Sequence, residues 1–516
     1  MEQISPIDWT ICGSYLCLVV GLGLYFSNKQ KNNDDFFLGG RNMHWVPVGL
    51  SLFATTFSSN SFVGLPAEGA FGDYHQLLAI LLIPFVIIPI TCIWVIPFYR
   101  GLGYTSLYEY LERRFARPVR LIASVIFMLY SAGWMGTMLL AVSRILNVVL
   151  DTESIVQTVL IITVTGMLAT LYTAIGGVKA VIWTDTIQAF ALCGGMVFLF
   201  WLLLDKIDGG WDTFVAVGSQ ANKFEMFRTD GGFAERNIFS ACAYGFFVYM
   251  GGHLASYGTF QRYVTVNSVR AARQALMIKG IFATVSCTLF FVVGTALYVY
   301  YQQSHVEIYE QLSDGKTRDQ LLPHFVITFA SGYGMTGLIL AGLFAAAMSS
   351  LDSGINSMAA SLVTDWLDGR DVGISTNRLL TILFGICVTV IACLLSLINS
   401  PVFDILLSIA GATLGLLLAV FIMGMLLPRV NTIGAVLGLA TGLLIFSLIR
   451  ILLPQLEPGS LDRLSMLAGL SKNTWWDGLI TTVPSVVVGL LVSLLTSPPR
   501  NDQLRGLVLV SRNALR

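Results

Sequence analysis

Phe344-Ala-Ala-Ala-Met-Ser-Ser-Leu-Asp-Ser-Gly-Ile-Asn-Ser357 places a cluster of hydroxyls and one carboxylate inside an apolar stretch long enough to cross a bilayer. Burying polar groups in hydrocarbon is costly, so residues of this kind face a cavity, an ion or one another. At helical spacing Ser349, Asp352, Ser353 and Asn356 share one face, with Ala346, Ser350 and Ser357 beside it. A stripe of hard oxygen donors suits Na+ or H+.

The rest of the chain puts that stripe in a membrane. Hydrophobic residues make up 55% of the 516 and charged residues 12%, against about 25% charged in a typical soluble domain; mean hydropathy is +0.75. Thirty basic residues balance thirty acidic ones, so no nucleic-acid footprint is expected. The first residues lack the basic start and small-residue cleavage site of a secretory signal, and the first apolar run reads as a retained span. All eight cysteines lie in apolar segments, as core packers rather than a disulfide framework.

At about 20 apolar residues per crossing, the chain divides into thirteen expected spans. They cover 8–26, 45–71, 76–99, 119–149, 154–175, 179–205, 238–263, 274–301, 334–364, 378–398, 402–427, 431–453 and 476–497. An odd number puts the termini on opposite sides. With the N-terminus outside, the inner loops and tail carry twenty Lys and Arg, Arg262 and Lys279 among them. The outer loops carry nine, and Arg144 lies in a span. That bias orients the N-terminus outside and the C-terminus in the cytoplasm.

Segment two is the least regular: Thr55, Thr56, Ser58, Ser59, Asn60 and Ser61 sit mid-span, followed by Gly64 and Pro66. Hydroxyl and amide side chains compete for backbone hydrogen bonds and proline removes a donor, so a broken helix is expected. Five segments later Gly245, Gly251, Gly252, His253, Ser256 and Gly258 interrupt segment seven. Two interrupted spans at matching positions point to an inverted-repeat transporter with its site between the repeats. Close helix packing by small residues is the structural alternative. The domain reading is one membrane unit over 1–516. It has an N-terminal helix at 8–26, a first repeat at 45–205, a second at 238–427 and two final helices at 431–497.

Tyr172-Thr-Ala-Ile-Gly-Gly-Val-Lys-Ala-Val-Ile-Trp-Thr-Asp-Thr-Ile-Gln188, Thr105-Ser-Leu-Tyr-Glu-Tyr-Leu-Glu-Arg-Arg-Phe115, Gln261-Arg-Tyr263 and the Ser349–Asn356 stripe together resemble the sodium:solute symporters. The likeness covers nearly the whole chain. It implies an all-α integral membrane protein with a LeuT-like five-plus-five inverted-repeat core, one helix before it and two after. The implied activity is Na+-coupled solute uptake by alternating access. Carried onto this sequence, one sodium would be held by carbonyls of Ala54, Phe57 and Ala346 with hydroxyls of Ser349 and Ser350. Some members hold a second sodium, and the matching residues here are Asp185, Ser349, Asp352 and Ser353. Asp352 departs from the family's usual serine, and the added carboxylate either strengthens a cation site or takes a proton. For Asp185 the structural alternative is pairing with a basic loop residue such as Lys179.

The solute would sit beside the breaks. Thr56, Ser58, Asn60 and Ser61 of segment two, Tyr130 and Trp134 of segment four, and Tyr249 and His253 of segment seven are the expected contacts. Sialic-acid relatives place an arginine in segment four where this chain has Trp134, and Arg144, farther along, reads as snorkelling toward the outer face. Sugar-like, sialic-acid-like and monocarboxylate-like solutes stay open. So do proton coupling and a solute sensor that transports nothing. An intramembrane aspartyl enzyme using Asp185 and Asp352 lacks the Gly-x-Gly-Asp context, and no HExxH, P-loop or Gly-x-Ser-x-Gly motif is present. The expected setting is a bacterial inner membrane, and the expected working unit a monomer.

Overall fold

The computed structural model describes residues 5–27, 39–104, 106–150, 154–313, 317–329, 334–367, 373–398, 402–455 and 465–509. Within them the regular structure is helical, apart from one isolated bridge between Met43 and Val266. The principal helices begin with α1 (Pro6–Ser27), α2 (Trp45–Thr56), α3 (Ser59–Phe71), α4 (His75–Leu102), α5 (Arg117–Leu150) and α6 (Ile155–Lys206). They continue with α7 (Ile238–Leu254), α8 (Tyr257–Thr265), α9 (Val269–Ser304) and α10 (Met335–Ser361). The last are α11 (Gly373–Leu395), α12 (Val402–Leu426), α13 (Thr432–Ser447) and α14 (Asp477–Leu495).

Among the described residues nine helices are long and apolar enough to span a membrane, or ten when α7 and α8 count as one bent span. The expected thirteen are not reached by that measure: α1, the expected first span, is not among those counted, and two further segments fall short for physical reasons. Segment two is split into α2 and α3, each short of a full crossing. Segments five and six lie in one helix, α6, whose 52 residues at 1.5 Å each come to about 78 Å. Of its two apolar stretches, Val178–Lys206 is among the nine and falls on the expected sixth span, whereas Ile155–Leu171, on the expected fifth, is shorter than the crossing length. The outer helices show lipid-facing stripes, as on α11, where Leu383, Ile386, Val390 and Leu394 are exposed at helical spacing. α10 is the most enclosed: 82% of its apolar window is buried, against 28% for α11.

Both interrupted spans are broken. α2 ends at Thr56, whose hydroxyl donates to the Leu52 carbonyl at 2.8 Å. Phe57 and Ser58 are extended (φ −89°, ψ 100° and φ −110°, ψ 178°) before α3 restarts. α7 and α8 meet at Ala255–Ser256 with a 53° bend.

α9 packs along both halves of the first broken helix, and glycine makes the approach possible. A Cβ at Gly49 would lie 2.6 Å from the Ala275 carbonyl oxygen, one at Gly69 2.5 Å from that of Phe291, and one at Gly294 2.2 Å from that of Pro66. Small residues at helix crossings are the usual means of bringing backbones together in membranes.

Candidate ion and solute site

α10 lies against the first break. The Ser350 hydroxyl donates to the Thr55 carbonyl at 3.0 Å, and the Ser353 and Thr55 hydroxyls are 3.1 Å apart. The last carbonyls of any helix lack intrahelical donors, and at the end of α2 that of Thr55 accepts from Ser350, with Ala54 and Phe57 buried on either side. Ala346, Ser349, Ser350, Asp352 and Ser353 are all buried on α10. The helix therefore carries the oxygen stripe read from the sequence into the interior.

Behind the stripe stands Asp185 of α6, fully buried. Ser51 of α2 donates to its Oδ2 at 2.5 Å, and its Oδ1 has no hydrogen-bond partner. The cation facing it is Arg262 of α8 at 3.7 Å, not Lys179. Arg262, placed in an inner loop by the sequence reading, is buried (2% exposed) at the centre of a network. It donates to Ser51 Oγ at 3.0 Å, Thr55 Oγ1 at 2.9 Å, Ser353 Oγ at 2.5 Å and the Gly258 carbonyl at 3.1 Å. One guanidinium thus ties α2, α8 and α10 together. Asp352 lies within the field of Asp185 and Arg262; it is fully buried, and neither carboxylate oxygen meets a hydrogen-bond partner.

Next to the network opens a cavity of about 150 Å³, far more than the ~15 Å³ a single water needs. Thr56, Ser61, Tyr130, Trp134, Tyr249 and His253 line it, as do Thr55, Ser131, Arg262, Lys279 and Ser353. Tyr130 and Trp134 pack edge to face at 5.2 Å. Two expected contacts point elsewhere. Ser58 is buried outside the lining, and the Asn60 amide donates to Thr137 Oγ1 at 2.8 Å, because α3 rotates these positions away from the face that Ser61 presents.

Two further cations differ from their expected placement, as Arg262 does. Lys279, assigned to an inner loop, is buried on α9 with its ammonium 3.1 Å from His253 Nε2. Arg144 does not snorkel; it pairs with Asp319 at 3.4 Å, and Asp319 also accepts from the Val402 amide at 2.9 Å. Each lies in or near an apolar run, and hydropathy reports the run while saying nothing of the buried partner.

The sodium:solute symporter family model matches residues 36–442. The chain belongs to the sodium:solute symporter family. It is 30% identical over 509 residues to the sodium/sialic acid symporter SiaT of Proteus mirabilis, covering 97% of each chain. It is 29% identical over 449 residues to the mouse sodium-coupled monocarboxylate transporter 1, covering 84% of this chain and 71% of that one. Its fold superposes on the outward-open, substrate-bound structure of a Na+-coupled sialic acid symporter with a TM-score of 0.83 at 29% identity, covering 96% of this chain and 99% of that one. This symporter is therefore a multi-pass membrane transporter that moves a small solute with sodium ions, and not an enzyme.

Proposed function

We propose that this symporter imports a small polar organic solute, sugar- or sialic-acid-like or monocarboxylate-like, driven by the inward Na+ gradient through alternating access. The carrying observation is the clasp of α10 on the first helix break, through Ser350 to the Thr55 carbonyl and Ser353 to the Thr55 hydroxyl. A sodium ion at this junction would take carbonyls of Ala54, Phe57 and Ala346 and hydroxyls of Ser349 and Ser350. Five neutral oxygens suit a monovalent hard cation. Bridging α2 to α10, sodium would favour the state ready to take solute from outside. Residues 45–205 and 238–427 would be the two repeats, each led by one of the broken helices.

Asp185, Asp352, Ser349 and Ser353 form the second cation site in this reading. One guanidinium meets Asp185 there while Asp352 lies buried beside it, and with both carboxyls ionised a single monovalent cation would restore neutrality. The unpartnered Asp352 oxygens favour either a second Na+ or, as the alternative reading, a proton. The solute would lie in the cavity against Thr56, Ser61, Tyr130, Trp134, Tyr249 and His253. The symporter would work as a monomer in a bacterial inner membrane, N-terminus outside.

The test is uptake into proteoliposomes under imposed Na+, K+ or pH gradients. Na+-driven accumulation supports the reading; accumulation driven by the pH gradient alone moves the coupling ion to H+.

A further inference from the structure

We infer that the solute is recognised as an anion, and that Lys279 on α9, presented by His253 on α7, is its counter-charge. This rests on the symport reading and names the class of solute for that cavity.

The His253–Lys279 contact has a fixed polarity. His253 Nδ1 lies 2.8 Å from the Tyr249 carbonyl, which can only accept, so Nδ1 carries the proton. Nε2 then offers a lone pair, and the Lys279 ammonium 3.1 Å away donates to it. One of three ammonium donors is used in this way. Lys279 is 3% exposed and forms no ion pair among the described residues. It lines the cavity, and the one charged group acting on it is Arg262, of like sign.

Arg262 is itself engaged by Asp185, Ser51, Thr55 and Ser353, and the lining contains no Asp or Glu. An ionisable side chain inside a membrane protein is expensive and is ordinarily matched by a partner. Lys279 has a neutral one, and its two remaining donors adjoin a space large enough for a small molecule. A carboxylate placed there accepts both. The aromatic wall of Tyr130, Trp134 and Tyr249 would cover the rest of the solute. No arginine of segment four lines the cavity, and Trp134 stands there instead, so recognition of a carboxylate falls to Lys279.

The experiment uses the purified full-length symporter and reads thermal stabilisation first by Na+ alone. It then adds L-lactate, pyruvate and N-acetylneuraminate in Na+, each beside a neutral counterpart: lactamide, pyruvamide and the N-acetylneuraminate methyl ester. Glucose and galactose are included. The expected result is stabilisation by at least one carboxylate and by no neutral counterpart or sugar. Lys279→Gln should weaken that carboxylate's apparent affinity by about tenfold or more, leaving stabilisation by Na+ alone intact, and Lys279→Arg should retain most of it. Stabilisation by a neutral compound equal to that by its acid, undiminished carboxylate affinity in Lys279→Gln, or no response to any carboxylate overturns the inference. The acid-against-amide contrast on wild-type protein decides the matter even where Lys279→Gln fails to fold. Absence of any response to Na+ alone counts against the sodium reading instead, so the two failures are distinguishable.

Discussion

The two helix breaks sit in opposite electrostatic surroundings. At the first, the Arg262 guanidinium meets Asp185 of α6 at 3.7 Å and Asp352 of α10 lies buried without a hydrogen-bond partner, so that with both carboxyls ionised one negative charge is in excess. At the second, α9 brings Lys279 to a neutral imidazole, an excess of one positive charge. With all four groups ionised the charges sum to zero, yet only Asp185 and Arg262 form an ion pair among the described residues, and Asp352 and Lys279 are left without one. A cation at the first break and an anion at the second would each satisfy one excess, and the loaded protein would stay neutral overall. A cation bound without the anion leaves Lys279 unmatched. That arrangement gives a physical basis for binding the two together.

The largest expected effect from disturbing this balance comes from Arg262→Gln, which leaves two buried carboxylates without a counter-charge. Breaking a buried ion pair from one side costs about 3–5 kcal/mol, so the melting temperature should fall sharply. Arg262→Gln with Asp352→Asn should recover part of the loss, and a double-mutant cycle measures the coupling. Additive losses would mean that Asp352 and Arg262 do not sense each other.

Ser350→Ala removes one oxygen at the α2–α10 junction and one hydrogen bond worth about 1 kcal/mol. The Na+ concentration for half-maximal uptake should rise about fivefold, with little change in folding; unaltered Na+ activation would count against the assigned ligand. Asp352→Asn keeps size and removes charge. It should change the number of charges moved per solute or flatten the pH profile of uptake, read as current against flux in the same vesicles.

The smallest effect lies outside the membrane, in the turn before α4. Asp73 is partly buried, which raises its pKa, but hydrogen bonds from the His75 ring at 2.5 Å and from its backbone amide at 3.0 Å hold the carboxyl below its free value of 3.8. The stabilisation is present above that value and lost as pH falls through the lower folded one. Asp73→Asn should therefore lower the melting temperature slightly at pH 7, and the difference from wild type should shrink as pH falls below 3.8. Because this turn is remote from both breaks, uptake kinetics should be unchanged.

Much of this was legible in the sequence where a local rule applies. Ser349, Asp352 and Ser353 on one helical face needed only the period of the helix. The break at Phe57–Ser58 followed from hydroxyls and amides competing with the backbone, with Gly64 and Pro66 close behind. What escaped was information about partners. Ser58 and Asn60 have the chemistry of solute contacts, but the rotation of α3 decides that Ser61 is presented and they are not. Lys279 lies five residues inside the expected start of its span at 274, where hydropathy cannot separate a snorkelling loop lysine from one bonded to a histidine on another helix. Arg144 escaped in the same way, its carboxylate being 175 positions away.

The glycines along α9 carry a mechanical consequence. Gly49, Gly69 and Gly294 bring backbone close to backbone, while between these points Phe53 meets Phe282 and both Phe57 and Phe62 meet Phe290. Main-chain bearings thus flank an aromatic key, and any tilt of α2 or α3 against α9 has to pivot on the first and turn the second. A methyl group at any of the three glycines would wedge the helices apart, and the first loss expected from such a change is in the rate of turnover.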